Sequence, residues 1–250
     1  MTTAGRPITL LIAALGGEGG GVLTDWIVNA AHKKGLAVQA TSIPGVAQRT
    51  GATTYYVEMM PAPVAGGRAP ILALSPSVGE IDLMVASEFL EAGRAIGGGF
   101  VTPERTTLIA STHRVFTTDE KIEMADGRLD LGRLFKAAKE QAARAILFDA
   151  DDCARETRSV INSVLLGAIA GAGVLPIDAA DFEAGIKEEG KAVESNLAGF
   201  RAGLAAVRKE SQSAAVPEKK RGEPRVDAAS VEARVATFPD AAREILGHGV

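Results

Sequence analysis

Two glycine-bearing stretches carry the residues whose types and spacing could do chemistry. Residues 16–21 read Gly16-Gly17-Glu18-Gly19-Gly20-Gly21, between an apolar run at 8–15 and a helical pattern at 20–34. Glycines there let backbone N–H groups and a helix N-terminus approach an anion or cofactor. They equally let backbone pack closely on a neighbouring element or subunit. Two specific anion motifs fail at this place. A dinucleotide fingerprint needs glycines at i, i+2 and i+5, but the third position is Val22 from Gly17 and Thr24 from Gly19. Gly16 and Gly21 have P-loop separation, yet Val22-Leu23 replaces the Lys-Ser/Thr pair that neutralises phosphate and holds magnesium. The next strand ends in Thr41-Ser42, with no acidic residue for a ribose hydroxyl.

The second stretch runs from Ser42 to Gly51, where Pro44, Gly45 and Gly51 shape a loop. Gln48 and Arg49 offer an amide and a guanidinium suited to carboxylate or phosphate. A solvated loop with one ordinary arginine explains the same residues. Ser87, after a strand, reads as a helix N-cap. Asp149, Asp151 and Asp152 could hold magnesium, but the dipole of a following helix explains them better. His113-Arg114 reads as a hydrogen-bonded loop pair rather than a base. Cys153 lies among carboxylates, which disfavour a thiolate, and no Gly-x-Ser-x-Gly elbow occurs.

These residues need elements to position them. The run Ile8–Leu15, ended by glycines, has the mark of a buried parallel strand. Val22, Leu23, Trp26, Ile27 and Ala30 make one face of a helix over 20–34 that Gly35 should end. Strands are expected at 36–42, 52–60, 81–86, 106–111 and 145–149, and helices near 88–96 and 132–144. Asp126-Gly127 signals a hairpin between 121–124 and 128–131. Helices at about 156–171, 178–189 and 191–208 follow, the last with a stripe of Val193, Leu197, Phe200, Leu204 and Val207. Alternation of strands and helices argues for an α/β sheet. Composition shifts at Lys209, so residues 1–208 read as one α/β domain and 209–229 as a linker. Residues 230–250 read as a C-terminal helix or the start of a further domain.

Of the 250 residues, 46% are apolar and 23% charged, which excludes global disorder. A net charge of -4 and 4% aromatics argue against nucleic acid as a partner. A single cysteine excludes an all-cysteine iron–sulfur or zinc site within the chain. The run at 8–15 is too short to span a bilayer, and Glu18 stands where a signal peptide would need small residues. A cytoplasmic setting without membrane attachment is therefore expected.

The two loops together resemble a known family. Leu15-Gly16-Gly17-Glu18-Gly19-Gly20-Gly21-Val22-Leu23 is similar to the Gly-x-Gly-Gly-Gln-Gly-Val start of the gamma domain of 2-oxoacid:acceptor oxidoreductases. Gly45-Val46-Ala47-Gln48-Arg49-Thr50-Gly51 resembles that domain's Met-Ala-Gln-Arg-Gly-Gly signature, and Ile81–Glu88 and Asn162–Ala168 are similar too. Within the family the wording is most like the beta subunit of indolepyruvate oxidoreductase. The resemblance implies a three-layer α/β/α fold with a mixed, mostly parallel sheet. It implies a non-catalytic subunit of an enzyme that oxidatively decarboxylates 2-oxoacids, here arylpyruvates, to acyl-coenzyme A. It places thiamine diphosphate on a partner alpha subunit, any iron–sulfur clusters on a partner, and coenzyme A in the assembled enzyme. No cofactor is expected on this chain alone, and a homo-oligomer is a further possibility for its assembly. Gly16, Gly17, Gly19, Gly20, Gly21, Gly45, Gln48, Arg49 and Gly51 become the residues expected to face partner or cofactor. Glu18 departs from the family's Gln, and Thr50 from its frequent Gly. The rival readings are a stand-alone nucleotide-binding α/β oxidoreductase and a pure scaffold subunit.

Overall fold

The computed structural model describes residues 5–43, 52–63, 70–115 and 130–213. The order is β1 (Ile8–Ala14), α1 (Gly20–Lys33), β2 (Val38–Ile43), β3 (Thr53–Met59), β4 (Leu83–Ala86), α2 (Phe89–Gly97) and β5 (Thr107–Ser111). There follow α3 (Leu131–Gln141), β6 (Arg144–Phe148), α4 (Ala150–Thr157), α5 (Ile161–Ala172), α6 (Ala179–Glu189) and α7 (Val193–Ser213). The strands form one sheet in the order β2-β3-β1-β4-β5-β6. β1 pairs in parallel with β4, β4 with β5 and β5 with β6, whereas β3 runs antiparallel to both β1 and β2. The sheet is therefore mixed and mostly parallel, as expected.

The apolar run of β1 is continuous because both faces of the strand are buried. Leu10, Ile12 and Ala14 face one core, with α1, α5, α6 and α7. Leu11 and Ala13 face the other, with α2 and α3. Two cores on opposite faces of one sheet make three layers. Successive side chains on a strand point to opposite faces, so one strand feeds both.

Helix boundaries follow local chemistry. α1 ends where Gly35 takes φ 70°, and the N–H of Gly35 bonds the carbonyl of His32 at 2.9 Å. Two helices, not one, cover the region expected at 156–171. Asp149 caps α4 through the N–H of Asp152 at 2.8 Å, so the chain turns helical at Ala150. Arg158 then enters the left-handed region at φ 52° and ends that helix. Leu131, expected at the end of a hairpin strand, begins α3 because the Asp130 carboxylate accepts from the N–H groups of Gly132 and Arg133. The hairpin around Asp126-Gly127 lies outside the described residues. So do 214–250, which hold most of the expected linker and all of the expected last element. α7 itself continues past the composition shift at Lys209 as far as Ser213.

α5 and α7 cross at unusually close range. Gly167 and Gly203 sit where the helices meet, each against the backbone of the other helix near Phe200 and Val164. The apolar stripe on α7 packs there, with Phe200 and Val207 fully buried and Leu197 and Leu204 partly so.

Candidate functional site

Parallel strands deliver their C-terminal ends to one edge of a sheet, where α/β proteins place ligand-handling loops. Here that edge carries the glycine loop after β1, Ser87-Glu88 after β4, Ser111 to Arg114 at the end of β5, and Asp149 after β6.

The glycines of the loop divide by role. Gly17 and Gly19 hold φ of 90° and 74°, a region that side chains with a Cβ rarely adopt. A Cβ on Gly19 would collide with the Asn162 amide, and one on Gly20 would lie 2.6 Å from both Ala14 and Tyr55. Those two glycines are thus required by packing within the chain. Gly16 and Gly17 face open space, and Gly21 makes only ordinary contact with Tyr55. α1 has no side-chain cap at Gly19. Asn162, near the start of α5, is buried and donates to the Gly19 carbonyl at 3.3 Å, while its Oδ1 has no hydrogen-bond partner among the described residues.

Glu18 turns inward from the loop. Its Oε2 accepts from the N–H of Leu15 at 3.1 Å and from the Ser87 hydroxyl in a very short bond. Its Oε1 lies 3.5 Å from His113 Nε2, and the two side chains are 18% and 12% exposed. Burial pushes the Glu18 carboxyl up, but the bonds from His113, Ser87 and Leu15 outweigh it and hold the group below the usual range. Burial likewise pushes the His113 imidazole down. The bond to Glu18 and the charges of Glu18, Asp151 and Asp149 outweigh that and raise it. Both shifts favour the charged forms, so the two groups attract as an ion pair.

On its other nitrogen, His113 Nδ1 lies 2.8 Å from Ser111 Oγ, which accepts from the Ala150 N–H at 2.9 Å. Serine, histidine and glutamate are therefore in line, but Ser111 is fully buried and cannot reach a substrate. The arrangement fixes loops rather than supplying a nucleophile. Beside it, Glu88 Oε2 accepts from the N–H of Leu90 at 2.7 Å as N-cap of α2. Its Oε1 accepts from Arg114 Nε at 2.8 Å and the Val115 N–H at 3.2 Å. Glu88 is buried in this pair and Arg114 is partly buried.

Several sequence expectations are thereby corrected or located. Ser87 is not the N-cap; Glu88 is, because Ser87 is taken up by Glu18 and by the N–H of Leu15 at 3.1 Å. Asp149, Asp151 and Asp152 serve α4: Asp149 caps it, and the other two stand in its first turn paired with Arg155 at 2.9 and 3.4 Å. Among the described residues no group of three or more His, Cys, Asp or Glu could hold a metal ion. Cys153 is partly buried, and burial followed by Glu156, Asp149 and Asp152 raises its thiol pKa. Gly45, Gln48, Arg49 and Gly51 lie outside the described residues. Their described flanks reach the same sheet edge, since Ile43 pairs with Thr54 and Thr53 with Ala14. Sequence reasoning missed Glu18, Ser111 and Asn162 as site-forming residues. The available signal was position: each directly follows or ends a strand, or begins a helix, at one sheet edge. No helix among the described residues is long and apolar enough to cross a membrane.

Comparison with known proteins fits this geometry. The chain is similar to indolepyruvate oxidoreductase subunit IorB of Archaeoglobus fulgidus, 24% identical over 200 residues that cover 78% of this chain and 93% of that subunit. Its fold resembles a 2-oxoglutarate:ferredoxin oxidoreductase of Magnetococcus marinus, with TM-score 0.57, 17% identity and 82% of this chain covered. This chain spans 32% of the Magnetococcus chain. The fold also resembles pyruvate oxidoreductase subunit PORC of Thermotoga maritima, with TM-score 0.52, 16% identity, and 80% and 97% of the two chains covered. A keto/oxoacid ferredoxin oxidoreductase gamma subunit of Geobacter sulfurreducens gives TM-score 0.53 and 13% identity, with 82% and 98% covered. With residues 9–206 matching the pyruvate ferredoxin/flavodoxin oxidoreductase family from β1 to within α7, the chain belongs to that family.

Proposed function

We propose that this chain is the gamma-type, non-catalytic beta subunit of an indolepyruvate or arylpyruvate oxidoreductase, an enzyme that converts 2-oxoacids to acyl-coenzyme A. The observation that carries the reading is the family match across residues 9–206. Similarity to a subunit named for indolepyruvate supports the substrate class. Thiamine diphosphate, in this reading bound by the partner alpha subunit, supplies the carbanion stabilisation that decarboxylation needs. Iron–sulfur clusters, if the enzyme has them, belong to the partner, because clusters need several thiolates and this chain has only Cys153.

The work of this chain is positional. Gly16 and Gly17 stand open at the sheet edge, and Gln48 and Arg49 belong to the segment whose flanks reach that edge. We assign these residues to the face that meets the partner. The glycine loop does not fit a coenzyme A phosphate, because its one side chain is the Glu18 carboxylate, turned inward to His113, and it offers no cation. Coenzyme A is therefore kept as the acyl acceptor of the assembled enzyme, with no phosphate cradle assigned to this loop. One observation favours the scaffold reading: Gly19 and Gly20 are explained by packing inside the chain.

The test is co-expression of the full chain with a candidate thiamine-diphosphate-binding subunit. Decarboxylation of indolepyruvate and phenylpyruvate is then followed with coenzyme A and an artificial electron acceptor. Activity only in the pair is expected, and Arg49→Ala should lower turnover of the pair without unfolding the chain. A folded chain that binds nucleotide and no partner would overturn the reading. Unchanged turnover with Arg49→Ala would leave the chain as scaffold.

A further inference from the structure

We infer that Glu18 and His113 form an ionic latch that holds the glycine loop against the ends of β4 and β5, and that proton loss from His113 releases it. The geometry is specific. Glu18 is the one side chain of residues 16–21, since the other five are glycine. That single carboxylate is tied to the loop's own start at Leu15, to Ser87 after β4, and to His113 after β5. Without it, Gly16 and Gly17 would have little to fix them, since Gly19 packs on Asn162 and Gly20 and Gly21 belong to α1.

The surroundings suit a group that changes charge. Ser111 Oγ already accepts from the Ala150 N–H. It keeps a lone pair for Nδ1–H, both of the imidazolium and of the neutral tautomer protonated at Nδ1. With Nδ1–H held by Ser111 in both protonation states, the proton that is lost is the Nε2 proton facing Glu18. The charged groups facing the pair come from every neighbouring element. They are Asp149 and Asp151 at the start of α4, Glu88 after β4 with its Arg114 partner, and Glu91 on α2. Glu88, Glu91 and Asp151 each have an arginine partner, Arg114, Arg94 and Arg155, while the charges of Glu18, Asp151 and Asp149 favour the imidazolium.

The pH window follows from the directions of the two shifts. His113 is raised above 6.5, so its stabilising contribution is complete below that value and is lost as pH rises through the higher folded value. Glu18 is lowered below 4.5, so its contribution is present above that value and is lost on acidification through the lower folded value. The latch is closed between these limits and opens on the alkaline side. Release of Gly16 and Gly17 toward a partner is a consequence that rests on the reading above, whereas the latch itself does not.

The experiment uses the full chain alone. Amide hydrogen exchange of residues 15–19, expressed as protection factors, is compared at pH 6 and pH 9. His113 is titrated by NMR, with His32→Gln and His248→Gln assigning its signals. A fall in loop protection of about tenfold is expected between the two pH values, while the strand β1 amides keep theirs. In Glu18→Gln the pH dependence should vanish and the His113 midpoint should drop. Equal loop protection at pH 6 and 9 in the unaltered chain would overturn the latch. So would an unchanged His113 midpoint in Glu18→Gln. Neither result bears on whether the chain joins a thiamine-dependent partner.

Discussion

Replacing Gly167 with alanine tests the close crossing of α5 and α7. A Cβ there would fall on the carbonyl oxygen of Phe200, 2.7 Å from its carbon and 2.9 Å from the Leu204 nitrogen. Ordinary contact begins at 3.4 Å, so the shortfall to carbon is 3.4 minus 2.7, about 0.7 Å. Both obstacles are backbone atoms and cannot rotate aside. The α5 and α7 helices must therefore separate by at least that distance. A gap of 0.5–1 Å forfeits roughly a quarter to a half of each dispersion contact, and the loss falls on Val164, Ala168 and Phe200, all fully buried. Overpacking of this kind costs about 3 kcal/mol at the upper end of its usual range. Alanine returns about 1 kcal/mol of helix propensity. The net loss of about 2 kcal/mol should lower Tm by roughly 4–8 °C for a domain of this size. Gly185 on α6 provides the control, since a Cβ there meets nothing within 4 Å. Gly185→Ala should gain up to about 1 kcal/mol. Thermal unfolding followed by circular dichroism reads both. Equal or higher Tm for Gly167→Ala would refute the close-crossing argument, whatever Gly185→Ala does.

Three further outcomes are expected. Asp82 is buried at the opposite sheet edge and accepts from Arg6 at 2.6 and 2.8 Å, Arg105 at 2.9 Å and the Thr9 N–H at 2.9 Å. Burial raises its pKa, but Arg6 and Thr9 outweigh that and lower it. Its stabilisation should be complete above about pH 4 and fall on further acidification, and urea midpoints of Asp82→Asn should lose that acid dependence. Cys153 should react with iodoacetamide at pH 8 more slowly than a free thiol, because burial and neighbouring carboxylates raise its pKa; a rate at or above that of the free thiol would contradict this. Gly16→Ala should be tolerated, whereas Gly19→Ala should cost at least about 1–2 kcal/mol from its left-handed backbone and its collision with Asn162. Equal denaturation midpoints for the two variants would show that the loop is not held as described.

Much of the fold is legible locally because its causes are local. The apolar run of β1 announces burial on both faces, and the periodicity of α1 announces the buried Leu23, Trp26, Ile27 and Ala30, though Val22, read onto that face, is exposed. The site is less legible because its members are brought together by strand order. Nothing near Glu18 in sequence points to Ser87 or His113, which lie 69 and 95 residues away. Ser87 reads as an N-cap from its neighbours, and only the approach of Glu18 gives that role to Glu88 instead. Similarly, Gly167 and Gly203 look like weak points in two helices until the helices cross and the absence of a Cβ becomes the condition of contact.

By itself, the sequence determined the α/β alternation, the glycine turn after the first strand, and a single cysteine that limits metal chemistry. Hydrophobic periodicity and backbone permissiveness are properties of neighbouring residues, so a linear reading captures them. Tertiary structure alone decided that β3 inserts antiparallel between β1 and β2. It alone turned Glu18 inward to meet His113. Both outcomes depend on which distant surfaces bury each other, and burial is an energy of the whole chain rather than of any segment.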